Sequence, residues 1–132
     1  MLSVDLRPRL KGAHPLVWVF EALENDPGYE LRRMFNLRAA YLDGLIYLAV
    51  AQGEEPWNGL VVCTSHDCHA DLQRDFPELV AHAVLGKWLY LSQNHPEFES
   101  TALKLARAAL ERDPRLGVEP KPRRSRAAKK KP

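Results

Sequence analysis

The sequence predicts an α+β domain with two layers, in which helices pack on one face of a mostly antiparallel sheet. Three observations lead to this prediction. Short runs rich in β-branched and aromatic residues follow one another, an Asp-Gly pair separates two of them, and apolar residues recur at helical spacing in other segments. Consecutive strands without long crossovers favour antiparallel pairing. Written compactly, the expected order is α-β(3)-α-β(1–2)-α.

The first predicted helix begins near Pro15, because proline suits a first helical turn. Its apolar residues recur on one face, at Leu16, Val19, Phe20 and Leu23. The Asn-Asp-Pro-Gly run at 25–28 ends it, since proline cannot continue a helix and glycine accepts a left-handed turn. Residues 29–35 alternate in part and predict a short strand.

The strongest local signal is Asp43-Gly44, which lies between the β-prone runs 39–42 and 45–50. Both central residues of a type I′ turn need positive φ, so an Asp-Gly pair between apolar runs predicts a hairpin. Residues 59–64 are rich in β-branched side chains and predict a buried strand.

A second helix is predicted after Thr64 or Ser65, either of which can cap it. Leu72 and Phe76 form its inward face, and Pro77 ends it. Residues 81–86 are a candidate strand, and Trp-Leu-Tyr-Leu at 88–91 is a clearer one.

The last predicted helix is capped by Asn94 or His95, with Pro96 in its first turn and Glu97 completing a capping box. Its apolar residues form a wide stripe that we expect to face the sheet. They are Phe98, Ala102, Leu103, Leu105, Ala106, Ala109 and Leu110.

Charge divides the chain into a domain over residues 1–118 and an expected disordered basic tail over 119–132. Seven of the 19 lysines and arginines lie in the last twelve residues, which contain no Asp or Glu. The rest of the chain therefore contains twelve Lys and Arg and 17 Asp and Glu, and its net charge is negative. Because prolines and charged residues make up most of this tail, it has too few apolar side chains to form a core.

No apolar run reaches the ~18–20 residues of a membrane span. Two cysteines are too few for a disulfide framework, and we expect a cytoplasmic protein.

Four residues that can bind zinc lie close together: Cys63, His66, Cys68 and His69. They are candidates for a metal site, and Cys68 near a helix start is a candidate nucleophile. Two observations oppose these candidates. Cys68 and His69 are adjacent, so in a helix their side chains would point ~100° apart and could not easily bind one ion. Cys63 is predicted to be a buried strand residue. We therefore expect no catalytic residue, metal or cofactor. A small metal- or thiol-dependent enzyme centred on these four residues remains the alternative.

Basic residues make nonspecific contact with nucleic acid the main binding hypothesis, because clustered Lys and Arg neutralise phosphates regardless of base sequence. No recognition helix accompanies them. A protein partner, or a homodimer formed through a sheet edge, is a further alternative, and no membrane contact is expected. The candidate contact residues are Arg32, Arg33, Lys121, Arg123, Arg124, Arg126, Lys129, Lys130 and Lys131.

Aromatic residues allow two interpretations. Tyr47 and Tyr90 could share a ligand-binding sheet face, but core packing is favoured. Trp57 lies in a predicted loop, where a tryptophan must find a pocket or a partner.

The segments Arg-Arg-Met-Phe at 32–35 and Ala-Tyr-Leu-Asp-Gly-Leu-Ile-Tyr at 40–47 resemble the N-terminal domain of TfoX/Sxy proteins, in which R-R-M-F-G precedes a Y-x-D-G hairpin. Trp-Leu-Tyr-Leu before a final helix also fits this layout and that of the related MmcQ/YjbR-like domains. Asn36 stands where the family has glycine. The resemblance implies a two-layer α-β(3)-α-β(2)-α domain with a regulatory role linked in general terms to DNA-uptake competence, and it brings no catalytic residues.

Overall fold

A six-stranded antiparallel sheet forms the centre of the protein, seen in a computed structural model that describes residues 16–34 and 37–120. The strand order is β1-β2-β3-β4-β6-β5, and every pair is antiparallel. The strands are β1 (Tyr29–Met34), β2 (Leu37–Leu42), β3 (Leu45–Ala51), β4 (Gly59–Val62), β5 (Val80–Ala81) and β6 (Leu89–Ser92). This confirms the α+β prediction. Four strands precede the second helical segment, in agreement with the four strand segments predicted there, whereas the compact order gave three.

The helices lie on one side of the sheet, here called the first face. They are a 3₁₀ helix (Val17–Leu23), a 3₁₀ turn (His66–Cys68) that leads into α1 (His69–Asp75), and α2 (Phe98–Leu110). Phe20, Leu72 and Leu105 from these helices join one buried cluster with Leu48 and Leu60 of the sheet. None of the described helices is long and apolar enough to cross a membrane.

The opposite side of the sheet, the second face, has a separate buried cluster built from small and medium side chains such as Ala39, Ala49 and Val61. Trp57 and Trp88, from the loops before β4 and β6, pack against this cluster. The helices and the loops therefore cover different faces.

The Asp43-Gly44 hairpin is present as predicted, with φ of 55° and 88° at its two central residues. The Asp43 amide donates to the Gly28 carbonyl over 3.0 Å, which attaches the hairpin tip to the turn before β1. Arg112, just after α2, donates to both carboxylate oxygens of Asp26 at 3.0 Å and to Asp43 at 2.9 Å. Sequence patterns gave no indication of this three-way link.

After α2 the chain returns to the sheet as a short segment, residues 116–118, which we call the C-terminal strap. The Gly117 amide donates to the Cys63 carbonyl at 3.0 Å, and Val118 forms an antiparallel bridge with Ile46 of β3. Gly117 has φ of +93°, and a Cβ there would lie 2.8 Å from the Tyr47 ring. Glycine is therefore required at this position.

Three local predictions were wrong. The last helix begins at Phe98, with Glu97 before its first turn and no side-chain cap bond, so the capping box is not formed. Neither Thr64 nor Ser65 caps a helix by its side chain: the Thr64 hydroxyl donates to the Arg115 carbonyl at 2.6 Å instead. Of the candidate strand 81–86 only Ala81 is in a strand.

Candidate functional site

The two cysteines of the candidate metal cluster belong to opposite faces of the sheet. Cys63 is fully buried in the second-face cluster, and this burial raises the pKa of its thiol. Cys68 is partly buried and packs against the first-face cluster. A single ion or substrate cannot contact both side chains in this arrangement.

The two histidines of that cluster do approach each other, with ring centroids 5.1 Å apart. His69 Nε2 lies 2.8 Å from the Lys87 carbonyl, so the ring contributes to a loop contact. Within residues 16–34 and 37–120, no three His, Cys, Asp or Glu side chains are grouped to hold a metal ion.

The two basic candidates in the domain lie on β1 but face opposite sides. Arg32 pairs with Glu30 at 3.0 Å, and its guanidinium stacks 4.5 Å from the centre of the Tyr41 ring. Arg33 is the cross-strand partner of Arg38, so these two cations lie side by side on the first face. One of the two predicted contact residues is therefore already neutralised by a neighbouring acid.

The seven basic candidates of residues 121–132 lie outside the described residues. The structure does describe the point from which they extend, because the C-terminal strap is bonded to Ile46 of β3 and to Cys63, the residue after β4. The basic segment thus starts three residues beyond a hydrogen-bonded position on the sheet.

A group of polar side chains that sequence reasoning missed lies between the loops on the second face. The Tyr90 hydroxyl donates to Asn58 Oδ1, and the His82 ring packs against both Trp57 and Tyr90, with centroid distances of 4.6 and 5.6 Å. Trp57, which was predicted to need a pocket or a partner, thus packs against the His82 ring. Tyr47 belongs to the first-face cluster, so Tyr47 and Tyr90 do not share a face.

His82 is the most constrained member of this group, because only 1% of it is exposed. Its Nδ1 accepts from the amides of Val84 at 3.0 Å and Leu85 at 2.9 Å, which places the proton of the neutral ring on Nε2. Burial lowers the pKa of His82, and the Pro56 carbonyl opposes this shift. An enclosed neutral histidine of this kind holds loops together and is inaccessible to a substrate.

Strand β1 forms one edge of the sheet. Hydrogen-bonded and non-hydrogen-bonded residue pairs alternate along two antiparallel strands. Because the Asp43 amide bonds to the Gly28 carbonyl, residues 30, 32 and 34 of β1 form the hydrogen bonds to β2. Residues 29, 31 and 33 therefore direct their backbone groups outward. The Tyr29 amide bonds to Asp26, whereas both backbone groups of Leu31 and Arg33 face away from the sheet.

The opposite edge differs, because β5 has only two residues. On β1, Leu31 has 42% of its surface exposed and is flanked by charged side chains. A long edge strand with open backbone groups is a surface on which another strand can pair.

The chain was also compared with known proteins. No family model, no curated protein and no solved structure matches it.

Proposed function

We propose that this protein is a non-enzymatic interaction and regulatory module of the TfoX N-terminal type. The Arg-Arg-Met and Asp-Gly motifs support this proposal, since residues 32–34 end β1 and Asp43-Gly44 joins β2 to β3 in a two-layer domain, in the order that the resemblance implies. The Asp43-Gly44 turn is fixed to Gly28 and Arg112, which makes the hairpin a rigid part of the surface. The free thiols of Cys63 and Cys68 favour a cytoplasmic location.

The second part of the proposal is that the basic segment attracts nucleic acid without sequence preference. The carrying observation is the separation of charge: seven cations follow a strap whose Val118 is bonded to the sheet, while the rest of the chain has more acids than bases. Attraction of this kind releases counterions and weakens steeply with salt. In this proposal the domain holds the start of the basic segment in place, and the cations of the segment bind the phosphates of the nucleic acid.

The test uses the 132-residue chain in which the seven Lys and Arg of residues 121–132 are replaced by Gln. We expect binding to duplex DNA at low salt to be lost, because the remaining chain is acidic. For the unmodified protein, the plot of log K against log salt should have a slope of up to about −6 if all seven cations contact phosphates. Fluorescence anisotropy with labelled duplexes of two unrelated sequences measures both effects.

The matched control replaces Arg32, Arg33 and Arg38 by Gln in the protein with its native basic segment. These substitutions should leave most of the binding intact, since Arg32 is paired with Glu30. Binding that survives neutralisation of the basic segment would contradict the proposal, and so would a clear preference for one duplex.

A further inference from the structure

We propose that β1 pairs with β1 of a second copy of this chain, in antiparallel register with a two-fold axis at Leu31. The two sheets would then join edge to edge into one sheet of twelve strands. This inference concerns the domain and is independent of the nucleic-acid proposal.

The pattern of outward backbone groups limits how two β1 strands can pair. On β1, Leu31 and Arg33 direct both backbone groups outward and Tyr29 directs its carbonyl outward, so these residues must lie opposite one another across the interface. Three symmetric registers place at least two of these residues opposite one another. Their axes pass through Glu30, Leu31 or Arg32.

Charge selects one register. An axis at Glu30 places the two Glu30 carboxylates opposite each other, and an axis at Arg32 does the same with two guanidinium groups. Like charges directly opposite are destabilising. An axis at Leu31 instead pairs Glu30 with Arg32 of the second copy, twice.

The side chains of this register complement each other on both faces. Directly opposite residues point to the same face, so both Glu30–Arg32 pairs lie on the second face, where Tyr41 already holds Arg32 by stacking at 4.5 Å. The Glu30–Arg32 pairs are the non-hydrogen-bonded ones, in which side chains approach most closely. On the first face, the exposed Leu31 side chains meet at the axis, and Arg33 lies opposite Tyr29.

The existing contact between Glu30 and Arg32 within one chain does not compete strongly with this arrangement. Both side chains are more than half exposed, and such pairs contribute little to stability. Because a guanidinium has five donors, Arg32 can contact the carboxylates of both copies at once. The interface therefore adds acceptors to a group that the domain already orients.

Sedimentation of the full chain over a wide concentration range, in protein freed of nucleic acid, tests the proposal. We expect a monomer–dimer equilibrium. Glu30→Arg and Arg32→Glu should each raise the dimer dissociation constant at least about tenfold, since both pairs become repulsive. Lys104→Glu, which changes the net charge as Arg32→Glu does but lies on exposed α2 surface, should leave the dissociation constant unchanged.

The decisive sample is an equimolar mixture of Glu30→Arg and Arg32→Glu proteins. One variant has two cations at these positions and the other has two anions, so only the mixed dimer regains both attractive pairs. We expect the mixture to form a heterodimer with near-native affinity. Fluorescence transfer between differently labelled variants detects it.

Leu31→Pro provides a second test that does not depend on charge. It removes an outward amide at the axis while the ladder to β2 stays intact, and edge strands tolerate proline. Circular dichroism should show a folded protein, and sedimentation should show a monomer. The proposal is overturned by a wild-type chain that stays monomeric at millimolar concentration, by a dimer that survives Leu31→Pro, or by a mixture that forms no heterodimer. Neutralising the basic segment should not change the dimer, which separates this result from the nucleic-acid test.

Discussion

His82 shows how burial fixes the chemistry of one residue. Its Nδ1 accepts two backbone amides, so the ring orders residues 82–85 only while that nitrogen is unprotonated. Burial lowers its pKa below the ordinary value of 6.5. The unfolded chain then binds a proton more readily than the folded protein as the pH falls below that value. The free energy of unfolding is therefore fully maintained above pH 6.5 and decreases toward the lower folded pKa.

Replacing His82 by Asn should remove this pH dependence, because the Asn carbonyl can still accept from the amides of residues 84 and 85 but does not titrate. For the native protein we expect a decrease of up to ~1.4 kcal/mol per pH unit below the ordinary pKa. Urea unfolding at pH 7.5 and at lower pH measures it, with His66→Asn, a substitution of an exposed histidine, as the control. An equal slope in the His82 variant would contradict the assignment.

The Tyr90 hydroxyl and the Asn58 side chain form a buried hydrogen bond. Tyr90→Phe removes the hydroxyl that donates to Asn58 Oδ1 and leaves a buried acceptor unsatisfied. Loss of about 1–3 kcal/mol in the free energy of unfolding is expected. Tyr29→Phe, whose hydroxyl belongs to a half-buried ring on β1, is the comparison. A Tyr90→Phe protein as stable as the native one would show that water satisfies Asn58.

The limits of prediction at this scale have a physical cause. The burial of Cys63 was predictable because its neighbours are β-branched, although β4 ends one residue before it. His82, Asn58 and Trp57 were not recognisable as a group, since two loops distant in sequence bring them together. The one available signal was Trp57, a large ring in a polar loop.

Secondary-structure elements were predicted well where local chemistry decides them. Asp43-Gly44 fixes its own backbone conformation, so the hairpin was readable from two residues. The start of α2 was misplaced because its capping pattern competes with a turn in which His95 Nδ1 accepts from the Glu97 amide. Leu103 was assigned to the buried stripe but is 46% exposed, because the face of α2 that packs is set by contacts with the first 3₁₀ helix and the sheet.

The C-terminal strap is an element that depends on a single glycine. Gly117→Ala should lower the free energy of unfolding by about 1–3 kcal/mol, since the new methyl group would meet the Tyr47 ring and the left-handed conformation disfavours alanine. Gly86→Ala is the matched control, because no atom lies within 4 Å of the added carbon. Thermal unfolding compares the two. Equal stability of both variants would show that the strap does not contribute to the cooperative unit.

On the scale of the whole molecule, two arginines join parts of the chain that are far apart in sequence. Arg112 connects the end of α2 to Asp26 and Asp43, and Arg115 connects it to Asp75 and Asp113. The hydrogen bonds from Arg112 lower the pKa of Asp26, and those from Arg115 lower the pKa of Asp113. The stability of the protein in acid therefore depends on the ion pairs that these two carboxylates form with Arg112 and Arg115 in the segment after α2.

The sign of the resulting pH dependence follows from the lowered pKa values. The stabilisation is complete above the ordinary Asp pKa of 3.8 and is lost as the pH falls toward the folded values, because the unfolded chain is protonated first. A double Arg112→Ala, Arg115→Ala variant should be less stable at neutral pH and should take up fewer protons on acid unfolding, by up to about two. Arg74→Ala removes only an exposed pair with Asp71 and should retain the native acid profile. Chemical unfolding at a series of pH values gives the proton uptake, and an unchanged uptake in the double variant would mean that these arginines do not control acid stability.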